Sequence, residues 1–486
     1  MTPGSLWTDD ASAARLLQAP SAVVLIGGFD GSANFGDVLQ AKTALERVAS
    51  ASPFAAVALV VEAEYAEFTL GALNPPEGTI VLEFSTDHRP SLLARLPSTT
   101  LAYLYGGGYL NSSWSARRLQ QFNAVADLVA AGGEGLIPRV AATGLQVSPH
   151  DELWAWAGWL QAAEPLGVRD IHSLHTLADA GVDAARVMDS SDDAVPWLLA
   201  NGLHTDGDSR CFNVHLSTQD YATEDGSQRR EWLTRALVEL AAVTPGMRCK
   251  LLIAFDDPRI SEQATAEEVQ RDYQRYAAQA GTPTIEFETI SLIAALANNS
   301  SVQIGAGGTI TSSYHVGLAS LLANVPTLLF AENPFYSQKM TALAESFDLP
   351  ERAVISPAHT PPTEIKSLLG IVGAALAESL YRTTSLLLAR CTAAANSVLV
   401  ALCRLNRDRI WLDSQALTTH YRMLVEEVAD LHERKRYLEI HAESNARAVS
   451  ELTAKVAELV SGGPDDHDAT PAAPPSRVRR RRRSTT

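Results

Sequence analysis

"IGAGGTITSSYHVGLASLLANVPTLLF", residues 304 to 330, sets Gly305, Gly307 and Gly308 and then Thr309, Thr311, Ser312 and Ser313 ahead of His315 and an apolar run. Glycines let a ligand approach the backbone, hydroxyls donate hydrogen bonds, and the first turn of a helix offers free N–H groups. The stretch therefore reads as strand, anion-binding corner, helix and strand, with His315 at the corner.

The same order recurs along the chain. "AVVLIGG" (22 to 28) is an apolar run ending in glycines, and residues 36 to 50 then carry apolar side chains at helical spacing. Further strands are expected at 54 to 62, 79 to 84, 101 to 108 and 139 to 149, with a helix at 114 to 133. After a turn-rich segment, 196 to 210, the pattern restarts with strands at 211 to 217, 250 to 255, 301 to 308 and 325 to 331. Helices are expected near 228 to 243, 262 to 280, 291 to 299 and 313 to 323. Alternation of this kind predicts parallel, doubly wound sheets. The fold class is thus α/β, with two Rossmann-like domains, 20–200 and 210–360, facing a cleft. Ligands of such sheets bind beyond the carboxyl ends of the strands, where glycine loops and His315 are expected.

Residues 364–460 read as a helical extension. Leu417, Tyr421, Leu424, Val428, Leu431, Lys435, Leu438, Ala442, Asn445, Val449, Leu452, Val456 and Leu459 step by four and three in alternation, which predicts a coiled coil over 417–459 and a homodimer. Residues 461–486 are Pro-rich and apolar-poor, a disordered tail in which Arg477 and Arg479 to Arg483 offer charge to anionic lipid headgroups.

Composition removes several function classes. The net charge of −17 argues against nucleic acid as a partner. The four cysteines form no C-x-x-C pair, and no metal-ligand spacing is present. The N-terminus lacks the basic start of a secretion signal, and apolar stretches such as 384 to 403 are interrupted by Arg390 and Asn396, so no comfortable membrane span is expected. The expected location is the cytoplasm, with the tail suited to the inner face of the membrane.

Several motifs in fixed order resemble the polysaccharide pyruvyl transferase family: "GGFDGSANFGDVL" (27 to 39), "YGGGYLN" (105 to 111), "AATGLQVSP" (141 to 149), "GVRDIHSLHTLADAGV" (167 to 182), "DSSDDAV" (189 to 195), "SSYHVGLASLLANVPTLLF" (312 to 330) and "PFYSQKM" (334 to 340). The resemblance implies a fold of the glycosyltransferase B type and transfer of pyruvate from phosphoenolpyruvate to a glycan or lipid-linked sugar of the cell envelope, forming a ketal without a cofactor. His315 would then be the general acid or base. On the donor side the resemblance implies Gly307, Gly308, Ser312, Ser313, Lys339 and Arg169, the last two supplying positive charge. Its acceptor side comprises Asn34, Asp37, Gly107, Gly108 and Asn111.

Simpler roles compete for the same residues. Asn34 and Asp37 suit a helix N-terminus, Arg169 with Asp170 suits a structural pair, and His215 is the best of the other histidines because it follows a strand. The chain also departs from the family pattern: Ser313 stands where a basic residue is frequent and Asn111 where an acidic one is common. A nucleotide-sugar glycosyltransferase of the same fold and a non-catalytic glycan-binding relative therefore stay open.

Overall fold

The computed structural model describes residues 5–410, apart from short segments at 53–54, 66–70, 72, 87–92, 98, 132–135, 218–225, 258–259, 299 and 332. The expected coiled coil at 417–459 and the arginine tail lie outside the described residues.

The strand Ala22–Ile26, wholly buried, is central to the first sheet. A strand covered on both faces is expected to be continuously apolar. In spatial order the sheet runs Ser5–Trp7, Ile80–Ser85, Ala56–Glu62, Ala22–Ile26, Thr100–Leu104, Arg139–Val147, Leu166–Val168 and Val187–Asp189, with Gly107–Leu110 paired to Arg139–Val147. All of these pairings are parallel except that of Ser5–Trp7. The chain order reverses between Ala22–Ile26 and Thr100–Leu104, so a crevice opens beyond Ile26 and Leu104.

The second sheet is wholly parallel, in the order Glu286–Ser291, Arg248–Ile253, Cys211–His215, Gly308–Thr311, Thr327–Phe330 and Val354–Ile355. Its order reverses between Cys211–His215 and Gly308–Thr311, which puts the second crevice beyond His215 and Thr311.

One expectation needs correction here. The strand at this switch is Gly308–Thr311 and not 301 to 308; Gln303–Ile304 belongs to a separate two-stranded ribbon with His204–Thr205. Gly305 and Gly307 consequently precede the strand and Gly308 opens it, at the end of the sheet remote from the crevice. They are needed for close approach to protein. A Cβ on Gly305 would lie 2.1 Å from the Cys211 carbonyl oxygen, one on Gly307 2.6 Å from that of Ser209, and Gly308 has a φ of +150° with the Leu369 side chain against it. Gly307 and Gly308 therefore hold no donor at the crevice.

The two α/β domains are joined in three ways. Phe255–Asp257 pairs antiparallel with Ala33–Asn34, and the Phe35 N–H donates to the Ala254 carbonyl at 2.8 Å. One apolar core runs through both, combining Leu25 and Leu39 of the first with Val214 and Leu328 of the second. The helix Ile365–Ile410 contributes Val372, Leu376, Leu387, Val398 and Leu402 to that core. The stretch Pro362–Leu405, which takes in most of this helix, holds an 18-residue window apolar enough to cross a membrane, with a mean hydropathy of 1.8 and a third of that window buried inside the protein. Arg390, expected to interrupt it, pairs with Asp189 at 2.9 Å.

Candidate functional site

The two crevices open into one cleft of about 350 Å³. His315 is the second residue of the helix Tyr314–Leu322, whose N-terminus is capped by the Ser313 hydroxyl accepting from the Val316 N–H. The imidazole is almost buried. Its Nε2 lies 3.5 Å from Asp192 Oδ2, and its Nδ1 lies against Gly36, where a Cβ would come within 1.7 Å. Asp192 and Gly36 belong to the first domain, so the imidazole of one domain is seated between parts of the other.

Asp192 has further partners. Gln40 Nε2 donates to both of its oxygens at 3.1 Å, Arg169 Nη1 donates to Oδ2 at 3.1 Å, and the Ala194 N–H donates to Oδ1 at 2.8 Å. Burial works against the Asp192 carboxylate, but His315, Arg169 and the Ala194 N–H together hold its pKa well below the ordinary range. The adjacent Asp193 accepts from Arg47, Thr143 and the Gly106 N–H, which fixes the glycine strand exit.

The expected site residues divide as follows. Asn34, Asp37, Gly108, Asn111, Ser312, Ser313, His315 and Lys339 all line the cleft. Asp37 carries a pKa raised by burial, with His315 and Lys339 opposing the rise; Gly28 leaves room for it, since a Cβ there would lie 2.6 Å from Asp37 Oδ1. Lys339 sits 5.7 Å from the Tyr314 ring centroid and 5.6 Å from those of Phe335 and Tyr336. Burial, then the nearby Arg169, lowers its pKa to about 7.

Other expected residues serve the frame. Arg169 does not line the cleft; its guanidinium is held by Asp192 and Gln146 and stacks 3.9 Å from the Tyr314 ring centroid. Gly107 is absent from the lining too, and its φ of +131° marks a turn open mainly to glycine. Asn34 caps the helix Phe35–Ala51 through Gly36, and the Asn111 side chain accepts from the Ser113 and Trp114 N–H groups. Of the four hydroxyls in the opening stretch, Thr309 is occupied by Asn213, and Thr311 accepts from the Ser313 N–H; only Ser312 and Ser313 reach the cleft.

No protein-family model matches the chain, and no curated protein does. Solved structures similar to it include UDP-GlcNAc 2-epimerase from Methanocaldococcus jannaschii (12% identity, 74% of this chain and 92% of that one, TM-score 0.42). Others are UDP-glucose:anthocyanidin 3-O-glucosyltransferase in complex with UDP (10%, 80% and 99%, 0.45) and the glycotransferase of kitacinnamycin (11%, 79% and 99%, 0.40). Likeness this distant does not bear on activity.

Asp192, behind the cleft, and Arg118, on its wall, carry no expectation from the sequence, whereas His215 is the histidine that its place after a strand singled out. Asp192 sits in the "DSSDDAV" turn, and two consecutive acids just before an apolar helix were the available signal. His215 lines the cleft with both ring nitrogens engaged, Nε2 at 3.2 Å from Glu262 and Nδ1 at 3.2 Å from the Thr311 hydroxyl. Glu262 also accepts from the Ala254 and Phe255 N–H groups at 2.8 Å, which anchors the segment that crosses to the first domain. Arg118, buried, donates to the Gly28 carbonyl and to Gln121.

Proposed function

We propose that the protein is a transferase of the glycosyltransferase B type that joins an anionic donor to a sugar in this cleft, with pyruvate from phosphoenolpyruvate as the transferred group. The observation that carries the reading is convergence. Eight residues drawn from motifs between positions 27 and 340 line one cavity, at the switch points of both sheets. In this reading His315 gives a proton to the methylene carbon of the donor, the resulting cationic centre accepts a sugar hydroxyl whose proton returns to His315, and a second hydroxyl displaces phosphate, its proton leaving with the phosphate, to close the ketal. Asp192 stabilises the imidazolium whenever it forms. Lys339 offers charge to the phosphate or carboxylate.

Glycosyl transfer from a nucleotide sugar is the second reading. What favours it is Ser313 in place of a basic residue, which leaves Lys339 to face the donor without a second cation from that position. Incubation of pure protein with glycan acceptors and either labelled phosphoenolpyruvate or nucleotide sugars separates the two by the product released, inorganic phosphate or a nucleotide. Release of neither sinks both and leaves a glycan-binding protein. The proposal includes a homodimer formed through 417–459: light scattering is expected to give a dimer for the full chain and a monomer for a chain ending near Arg409, and a dimer for both would overturn it.

A further inference from the structure

The apolar part of the cleft lining is unusual in kind. Seven of its 23 residues are aromatic, in a chain that is 7% aromatic, and among the described residues no Leu, Ile, Val or Met lines it. An acyl chain would call for aliphatic walls. Rings interleaved with hydrogen-bonding groups suit a ligand that is apolar on its faces and polar round its edge, as a pyranose is.

The two walls also differ in charge. The second domain contributes Lys339, the two serines and the start of the helix Tyr314–Leu322, a set suited to an anion, while its one lining carboxylate, Glu262, is buried and occupied by His215 and the Ala254 and Phe255 N–H groups. On the first-domain wall stand the carboxylates Asp30 and Asp37, and the single guanidinium there, Arg118, is 4.0 Å from Asp30 and already bonded to Gly28 and Gln121. That wall repels phosphate and carboxylate groups and accepts hydrogen bonds from hydroxyls. Trp114 belongs to it. Ten large apolar side chains are exposed among the described residues, and Trp114, at 36%, is the one that lines the cleft. Its backbone is fixed by Asn111 at the start of the helix Ser115–Ala130, so the indole is presented from a rigid base.

We infer that the first-domain wall is a binding platform for a neutral pyranose, whose C–H face stacks on Trp114 and whose hydroxyls are held by Asp30 and Asp37, while the anionic partner occupies the opposite wall at Lys339. The inference deepens the transferase reading, since it assigns the acceptor class, and it rests on that reading for the cleft and for its division into a sugar side at Asp37 and an anion side at Lys339. A uronate or a sugar phosphate is excluded from this platform by the two carboxylates.

Saturation-transfer NMR on the full chain tests this with the methyl pyranosides of glucose, galactose, mannose and N-acetylglucosamine, and with methyl glucuronoside as the charged comparison. At least one neutral pyranoside is expected to receive saturation at its ring C–H protons, and glucuronoside to bind at least tenfold more weakly. Trp114→Ala is expected to abolish the transfer, Trp114→Phe to retain part of it, and Trp154→Ala, at an exposed indole away from the cleft, to leave it unchanged. Circular dichroism establishes that each variant is folded. Failure of every neutral pyranoside, preference for the uronate, or undiminished binding by Trp114→Ala overturns the inference. Sugar binding at Trp114 without transfer of any group would remove the transferase reading and keep the platform; transfer with an unchanged acceptor KM in Trp114→Ala would do the reverse.

Discussion

Gly36→Ala is a sharp probe of the seat made for His315. The added Cβ would lie 1.7 Å from Nδ1 and 2.3 Å from Cγ and Cε1 of the imidazole. Carbon contacts normally settle at about 3.5–4.0 Å, so the ring or the helix Phe35–Ala51 must give by roughly 2 Å. The ring has Asp192 at 3.5 Å and Tyr314 against it, so it cannot withdraw without breaking the cross-domain pair. Overpacking of this kind costs about 1–3 kcal/mol. Against that, alanine in a helix is favoured over glycine by about 0.5–1 kcal/mol. The clash vanishes when His315 is itself alanine. Gly36→Ala is therefore expected to destabilise the wild type yet to stabilise the His315→Ala protein by about 0.5–1 kcal/mol, a coupling equal to the overpacking cost of about 1–3 kcal/mol. Urea denaturation of the four proteins, followed by circular dichroism at constant m, measures it. An equal midpoint shift in both backgrounds would refute the geometry, whatever the reaction turns out to be.

Other outcomes follow from the same cleft. His315→Asn is expected to slow transfer by roughly 10²- to 10⁴-fold with the circular dichroism spectrum unchanged; a wild-type rate removes the proton-transfer role. Asp192 has a depressed pKa in the fold, so its contribution to stability is present above the unfolded value of about 3.9 and is lost as pH falls through the folded one. Asp192→Ala, which leaves the buried Arg169 with Gln146 and the more distant Asp170, should cost at most about 3–5 kcal/mol at pH 7 and progressively less toward pH 2; a pH-independent gap between the two melting curves contradicts this. Lys339 titrates near 7 in the fold, well below its unfolded value, so the unfolded chain holds the extra proton and stability should rise with pH from about 7 to about 10. Phosphate affinity should fall over the same range. Lys339→Met is expected to flatten both trends, and unchanged profiles in melts and calorimetric titrations would reject that assignment.

The fold was legible where burial is uniform. Ala22–Ile26 is covered on both faces and could be recognised from five apolar residues in a row. Residues 301 to 308 mimic a strand meeting a phosphate loop, because Val302 and Ile304 are followed by three glycines. The strand that occupies the switch point is "GTIT", whose threonines are β-branched and comfortable in a sheet, with the Thr309 hydroxyl silenced by Asn213. All four hydroxyls already meet a donor inside the protein, Thr309 from Asn213, Thr311 from the Ser313 N–H, Ser312 from the Ser217 N–H and Ser313 from the Val316 N–H, and two of these donors lie on a strand segment nearly a hundred residues away.

The site was legible as a set of positions and illegible as a set of pairs. Local rules place His315 at a helix start and Asp37 near another, but only the docking of the two domains puts Asp192 beside His315. An acidic turn such as "DSSDDAV" ordinarily belongs in water, because a buried carboxylate is costly unless its oxygens are hydrogen-bonded. Here each acid has its own donors: Gln40, Arg169 and the Ala194 N–H for Asp192, Arg47, Thr143 and the Gly106 N–H for Asp193. Asp193 thus spends its charge within the first domain, on the glycine exit of its sheet. Asp192 faces outward from the same domain to the one imidazole that lines the cleft without a hydrogen-bond partner on Nε2 among the described residues. At 3.5 Å that gap is wider than a hydrogen bond, and a proton arriving on the imidazole would close it by charge attraction. The pair is supplied by docking alone: the carboxylate comes from the first domain and the imidazole from the second, so neither stretch of sequence announces its partner.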